Sequence, residues 1–478
     1  MLYTRQNVFA KARAMKKTFM LFFLSLSCCA HRPADPLHAA LPPALEQRAD
    51  TYKKDGRYLE ALTFYRDIAM NRDWAGHAGR ALYENMADIY RDYLGDRQES
   101  ARWYAHYRDL APGAPVEPEM DKALLSVEQP LPEYIRVLIA DSSTPVRLAS
   151  EKPLKIIAGK DAPAAADITC AADGDGIVIN NAGPARGPVT VMPEKGLTVR
   201  VDGKICRDQL TLAAAQGHVL VICQVPLEDY LRGVLPREMA PSWPLEALKA
   251  QAVAARTYAL YHCLLRRSAA YDVLATTSSQ VYDGTAKEHA TVNQAVEQTR
   301  GQVLAGQDRL ALTLFHANSG GRTESLENIW GGKLEYLCGV PDPFSTGYSG
   351  ATWEKTLPAE DISLALVQFG LAAGEILDIA PVKRSESGRI EKLKITVHGE
   401  TFFLSGNSFR LIVGPGKVKG TNFEVRKENG AFIFKGEGYG HGAGMSQWGA
   451  YGMAKKGFAY EAILGQYYPG TRIMQIKR

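Results

Sequence analysis

Residues 438–449 read GYGHGAGMSQWG, with glycine at 438, 440, 442 and 444 and His441 between the second and third. Glycine accepts positive φ and lets backbone approach another surface closely. Glycine at every second position therefore predicts a tight wall poor in side chains, beside a site or inside a turn. Ser446, Gln447 and Trp448 then place polar and aromatic groups where a helix is expected to begin.

The chain has 478 residues, long enough for two or three domains. Its formal net charge is +4, and no Lys/Arg-rich run is interleaved with aromatics. A nucleic-acid partner is therefore not expected. Residues 1–30 read as an export signal: Lys16 and Lys17, an apolar run over 19–26, then Ser27-Cys28-Cys29-Ala30. The signal needs nothing before Met15, and its apolar run is too short to span a membrane. Its end fits either a plain cleavage site or a lipoprotein site, with Cys28 or Cys29 carrying lipid. Five cysteines follow, at 170, 206, 223, 263 and 338, without a CxxC pair. A zinc ribbon or a thioredoxin-type site is not expected.

Residues 42–111 are helical in pattern. Ala61-Leu62-Thr63-Phe64-Tyr65 recurs as Ala101-Arg102-Trp103-Tyr104-Ala105, and Tyr52 before Gly56 is echoed by Tyr90 before Gly95. A small residue followed three positions later by an aromatic resembles tetratricopeptide helix pairs, at a longer spacing. Two such units are few for stability alone, so the segment is expected to pack on something else, with partner binding as its role. Residues 112–132 carry Pro112, Pro115, Pro118, Pro130 and Pro132 and read as a linker. Strand-like alternation follows at 134–140, 176–180, 189–192, 197–201 and 219–225. Helices are expected from Leu227, interrupted by Pro236 and Pro241, and from Pro244 through an alanine-rich stretch to Arg267. A further helix is expected over 286–300, stopped by Gly301. The fold class is α+β.

Glu238 lies between prolines, beside Met239 and just before the alanine-rich helix. A carboxyl there is either a solvated loop group or, if its pKa is raised, a general acid. Lys249 and Arg256 lie seven apart on that helix and share a face. The pattern Gly438-x-Gly440-x-x-Ala443 passes a loose dinucleotide template, but too little chain follows for a βαβ unit.

The stretch VPLEDYLRGVLPREMAPSWPLEALKAQAVAARTYAL (225–260) resembles the SpoIID/LytB family, the sporulation stage II protein D and amidase-enhancer group. The resemblance continues through Ser279-Gln280-Val281-Tyr282-Asp283-Gly284, Phe315-His316-Ala317-Asn318-Ser319-Gly320-Gly321, Asp342-Pro343, the glycine run and Tyr467-Tyr468-Pro469-Gly470. It covers residues 134–473 and omits the helical front.

The resemblance implies action on peptidoglycan glycan strands, either as a lytic transglycosylase or as a non-catalytic protein that stimulates a cell-wall amidase. It implies Glu238 as the catalytic group. It also places Arg256, Tyr258, Gln280, Tyr282, His316, Ser319, His441, Ser446 and Gln447 at the glycan groove, with Lys249 near acidic lactyl groups. Some sporulation relatives hold zinc near the Gln-x-Tyr-x-Gly motif through His and Cys. Here residues 274–280 read LATTSSQ, so neither metal nor cofactor is expected. Partners implied are the wall and an amidase or divisome- or sporulation-type complex reached through the helical front.

Overall fold

The computed structural model describes residues 41–75, 79–110, 125–127, 129–158, 160–307, 309–371, 374–398 and 400–476. Residues 1–40, which include the segment read as an export signal with Cys28 and Cys29, and most of the proline-rich stretch 112–132 lie outside the described residues. The described chain is mixed α+β, and its described residues from Leu41 onward belong to one compact unit.

The largest sheet is built mainly from antiparallel meanders. Its order runs Val273–Leu274, Tyr134–Ser142, His218–Pro226, Leu210–Ala215, Val189–Met192, Val146–Ala158, Lys160–Asp173, Gly176–Ile179 and Ala185–Arg186. Val137 faces Cys223 across the first antiparallel pair, and a bulge interrupts the register between Leu138 and Ala140. The expected strands are present within a few residues. Alternation was legible because one face of each is buried: Val189 and Val191 are buried while Thr190 and Met192 are partly exposed.

Two helices cross beside this sheet. The first, Leu227–Glu238, runs through Pro236 instead of stopping there. Proline lacks a donor and disturbs a helix interior, but Pro236 lies in the last turn. Met239 N–H still closes on Leu235 O at 2.9 Å. Glu238 is thus the last residue of a helix, not part of a free loop. The second, the alanine helix Leu245–Leu265, starts after Pro244 as expected and is buried along most of its length. The helix expected over 286–300 is shorter, Ala290–Gln298, because His289 caps it by accepting from Thr291 N–H.

Arg256 fixes the crossing. Its side chain is fully buried and grips Glu228 through Nη2–Oε2 at 2.7 Å and Nε–Oε1 at 3.2 Å. It also donates to the carbonyls of Gln302 and Val296, while Gly301 N–H donates to Glu228 at 3.1 Å. One pair therefore ties the start of the first helix, the middle of the second and the corner after Gln298.

The front helices Leu41–Lys54, Tyr58–Met70, Arg72–Ala75, Ala81–Asp88, Ile89–Leu94 and Arg97–Leu110 pack on this body. Ile89–Leu94 is a π-helical turn, and it buries Tyr90 and Tyr93 together. Tyr90 OH donates to Trp330 O at 2.6 Å, and the Tyr261 hydroxyl donates to the carbonyl of Tyr93. Helix Tyr58–Met70 presents Thr63, Asp67 and Asn71 to the body at one-turn spacing. Thr63 accepts from Trp330 and Asn407, Asp67 from Ser405 N–H, and Asn71 pairs both ways with the Phe403 backbone. Ala61 and Phe64 are buried as the repeat pattern asks, whereas Ala101 is exposed and Tyr104 buried.

Replacing Arg256 by Met leaves Glu228 charged and buried without its main partner. Such a loss costs about 3–5 kcal/mol, so Arg256→Met should lower the urea midpoint sharply or leave no folded product. A midpoint equal to wild type would show that the pair does not anchor the crossing.

Candidate functional site

Glu238 ends its helix and is only partly exposed. Gln447 Nε2 donates to its Oε2 at 3.2 Å. Burial raises its pKa from 4.5 to about 6; the Gln447 amide, the Val281 N–H and the Arg237 charge each restrain that rise. Arg237 itself is paired to Asp283 at 3.1 Å. Tyr258 lies within electrostatic reach of Glu238. Its phenol is pushed up first by burial, with a Ser279 hydrogen bond acting against the shift.

Gln447 is in place because Ser446 caps helix Gln447–Lys455, its Oγ accepting from Gly449 N–H at 3.1 Å. The glycine run delivers it there. All four alternating glycines have positive φ, between 71° and 114°. A Cβ on Gly444 would strike the Leu314 carbonyl, and one on Gly440 the His316 side chain. Close approach lets the run bridge Asn318 at Tyr439, Gly420 at Gly440 and Glu324 at Ala443, and lets Met445–Ser446 pair in parallel with Phe315–His316.

Of the residues the sequence singles out, Glu238, Tyr258 and Gln447 come together. The others hold the frame. Gln280 is fully buried, accepting from Tyr230 OH at 3.0 Å and donating to Ala255 O at 3.4 Å. Tyr282 is buried and stacked on Tyr230. Ser319 and Ser446 converge on the buried Asp342, to which Ser319 donates at 2.6 Å, and Tyr467 donates there at 2.8 Å. Burial raises the Asp342 pKa, and those hydroxyls oppose the rise.

The face of the alanine helix that carries Lys249 and Arg256 packs inward instead of lining the groove. Lys249 bonds Glu246 at 2.8 Å and lies 4.4 Å from the Tyr460 ring centre, and Tyr460 bonds Gln302. Tyr258 sits half a turn away, nine residues on from Lys249, and so faces the other side.

The two histidines are held by backbone. His316 Nδ1 meets Ala443 O at 3.1 Å, and His441 Nδ1 accepts from Ala443 N–H at 3.1 Å. Burial, with Arg410 and Arg389 nearby, drives the His441 pKa to about 3; His316 is driven well down by burial and by His441. Both rings are neutral near pH 7. Among the described residues no group of three or more His, Cys, Asp or Glu is placed to hold a metal ion.

Four aromatic rings cluster together: Trp243, five residues past Glu238 in the chain, and Trp448, next to Gln447 in the chain, lie 4.5 Å apart. Tyr348 stacks on Trp448 at 5.2 Å, and Tyr451 touches all three. All four are partly exposed. The sequence reading missed Trp243 and Tyr348, whose distance along the chain from Trp448 conceals the cluster. A cavity of about 190 Å³ lined by Arg322, Glu324, Lys333, Cys338 and neighbours does not include Glu238.

A half-buried carboxyl of raised pKa and a cluster of partly exposed aromatic rings mark the candidate site. Residues 215–305, which contain Glu238 and the alanine helix, match the family described as Stage II sporulation protein. Residues 347–444 match a domain of unknown function. An uncharacterized protein of Brachyspira hyodysenteriae is 35% identical over 304 residues, 63% of this chain and 81% of that protein. Stage II sporulation protein D of Bacillus subtilis is 30% identical over 270 residues, 52% of this chain and 75% of that protein. The amidase enhancer of Bacillus subtilis is 33% identical over 292 residues, although this chain spans only 40% of its length. The chain belongs to the SpoIID family.

A carboxyl that prefers its proton in the folded state stabilises the fold below about pH 4.5 and loses that contribution as pH rises through about 6. Glu238→Gln cannot ionise, so the stability of wild type relative to it should fall by on the order of 1 kcal/mol between pH 4 and pH 8. Urea midpoints across that range test this, and parallel curves would contradict the raised pKa.

Proposed function

We propose that this protein acts on the bacterial cell wall as a peptidoglycan lytic transglycosylase, with Glu238 as its single acid and base. The observation that carries the reading is the Glu238 carboxyl, held near pKa 6 by burial and oriented by Gln447. In its acid form Glu238 gives its proton to the glycosidic oxygen as the bond to the muramyl C1 breaks. The resulting carboxylate takes the proton of that sugar's C6 hydroxyl, and O6 closes on C1. The product is a 1,6-anhydro-muramyl end and the acid is restored. No water adds, so the paired carboxylate of ordinary glycoside hydrolysis is not required. A pKa near the working pH suits a group that must serve both ways. Trp243, Trp448, Tyr348 and Tyr451 supply apolar surface for sugar faces.

Glu238→Gln keeps the shape but carries no transferable proton. Cleavage of purified wall glycan should fall by about 10²–10⁴-fold, read as loss of anhydro-muramyl products by mass analysis. Wild-type cleavage should also decline as pH rises through about 6. Equal cleavage by the Gln variant would move the proton donor elsewhere.

The second reading is a non-catalytic wall-binding protein that stimulates an amidase, favoured by the likeness to a protein named amidase enhancer. Wild type that releases no anhydro product yet speeds an added amidase, with Glu238→Gln equally effective, would establish it.

The exported location and a lipid on Cys28 or Cys29 belong to the same reading, supported by the signal-like residues 1–30. A fatty-acid probe should label wild type and spare the double Cys→Ser variant. Unlabelled wild type would rule the anchor out.

A further inference from the structure

Helix Tyr58–Met70 and helix Gly406–Val413 meet side by side. Asn407 Nδ2 donates to Thr63 Oγ1, and one turn along each helix Arg410 lies within electrostatic reach of Glu60. Glu60 is itself paired with Arg57 at 3.2 Å. Arg410 uses its Nε on the carbonyl of Lys419 at 3.0 Å, and Gly440 N–H shares that carbonyl. The guanidinium is thereby anchored to the glycine run. Its two amino groups make no hydrogen bond to a described residue, and the residue is partly exposed. Lys419 places its ammonium 5.6 Å from the ring centre of Tyr439, which is partly exposed on the same run.

The charge around this spot does not balance. Burial lowers the Arg410 pKa to about 10, with Tyr439 and Glu60 only partly offsetting it. Arg389, buried beneath Gly442, is lowered by burial in the same way, against Glu324 and Glu437. His441 and His316 on the adjacent wall are neutral. Arg57, Arg389, Arg410 and Lys419 thus face Glu60, Glu324 and Glu437, which leaves one cation in excess. Tyr258 links the spot to the catalytic end, since Glu60 and Glu238 both act electrostatically on its phenol.

We propose that Arg410, Lys419 and Tyr439 form a subsite for a carboxylate-bearing sugar of the bound strand. The guanidinium fork takes the carboxylate, Lys419 adds charge and Tyr439 offers its ring to the sugar face. Glu60, delivered by the front helix, competes with the ligand for Arg410 and sets how strongly an acidic strand is preferred. The inference rests on reading the groove as a glycan site. It gives residues 347–444 and the front helices one shared task, reading the acidic group. The carboxylate belongs either to the lactyl group of a stem-free strand or to an attached peptide.

The test is binding to the full chain carrying Glu238→Gln, so cleavage plays no part. The probes are an uncharged chito-oligosaccharide, a stem-free muramyl oligosaccharide of equal length and the same strand with its peptides. At least one charged strand should bind about tenfold or more tighter than the chito-oligosaccharide, as expected for a charge-assisted bidentate contact. Which charged strand gains identifies the source of the carboxylate. Arg410→Gln should erase the preference and leave chito-oligosaccharide affinity unchanged. Lys419→Gln, which keeps the backbone carbonyl that Arg410 uses, should reduce it without disturbing the fold. Glu60→Gln should enlarge it. No preference in the parent, or a preference that survives both cation variants, overturns the proposal. A preserved preference here, together with a wild-type protein that releases no anhydro product, would sink the transglycosylase reading and leave this one standing.

Discussion

The arrangement depends on the buried pair of Arg256 and Glu228. An ion pair so deep is poor evidence of net stability, because an apolar replacement of both partners often does as well. Its value here is geometric. Glu228 and Glu238 stand ten residues apart on one helix, about 15 Å along its axis. The first is fixed in the core by Arg256 and Gly301 N–H; the second emerges at the groove. With one end held in angle and register, the other has little freedom. Gln280 adds a second restraint by joining Tyr230 of that helix to Ala255 of the alanine helix. The raised pKa of Glu238 follows from this rigidity, since a carboxyl free to swing outward would be hydrated.

The opposite wall is built by close approach. Alternating positive-φ glycines bring one strand within reach of three others and set Ser446 at a helix start, so that Gln447 faces Glu238. His441 braces the run from inside. The ring of Trp330 lies 5.4 Å from His441, its indole N–H donates to Thr63, and its carbonyl accepts from Tyr90. The front helices thus bear on the glycine wall through one tryptophan. Their contact with the body is specific because it is polar. Thr63, Asp67 and Asn71 are buried, and a shift of one turn would strand them without partners.

Local patterns in the chain revealed local structure. Strand alternation, the Pro244 start and the need for positive φ at 438–444 are properties of neighbours in sequence, and each is present. Glu238 and Gln447 were also legible, as members of motifs. Motif membership did not separate groups that face the groove from groups that hold it, which is why Arg256, Gln280, Tyr282, Ser319 and Ser446 were all grouped with the groove. In the fold these engage Glu228, Tyr230 and Asp342, partners 23 to 104 residues distant that no periodicity announces. Lys249 misled for a related reason: sharing a face with Arg256 proved true, but that face is the packed one. Trp243, Tyr348, Glu60 and Arg410 were invisible because each is unremarkable alone and acquires its setting from a distant segment.

The site's charge near neutral pH follows from which groups the fold keeps from titrating. His441 and His262 are pushed to about 3, chiefly by burial, and His316 is driven well down. Arg410 remains protonated even at about 10. Asp67 is raised to about 7 by burial, yet it is fully buried in the contact between the front helix and the body, where its Oδ1 accepts from Ser405 N–H at 3.0 Å. Glu238, raised to about 6, titrates between these extremes. The histidines expected to touch ligand serve as neutral braces, and the guanidiniums as fixed charge. A carboxyl that titrates near 6, set beside neutral histidines and fixed cations, suits the proposed single-residue acid and base.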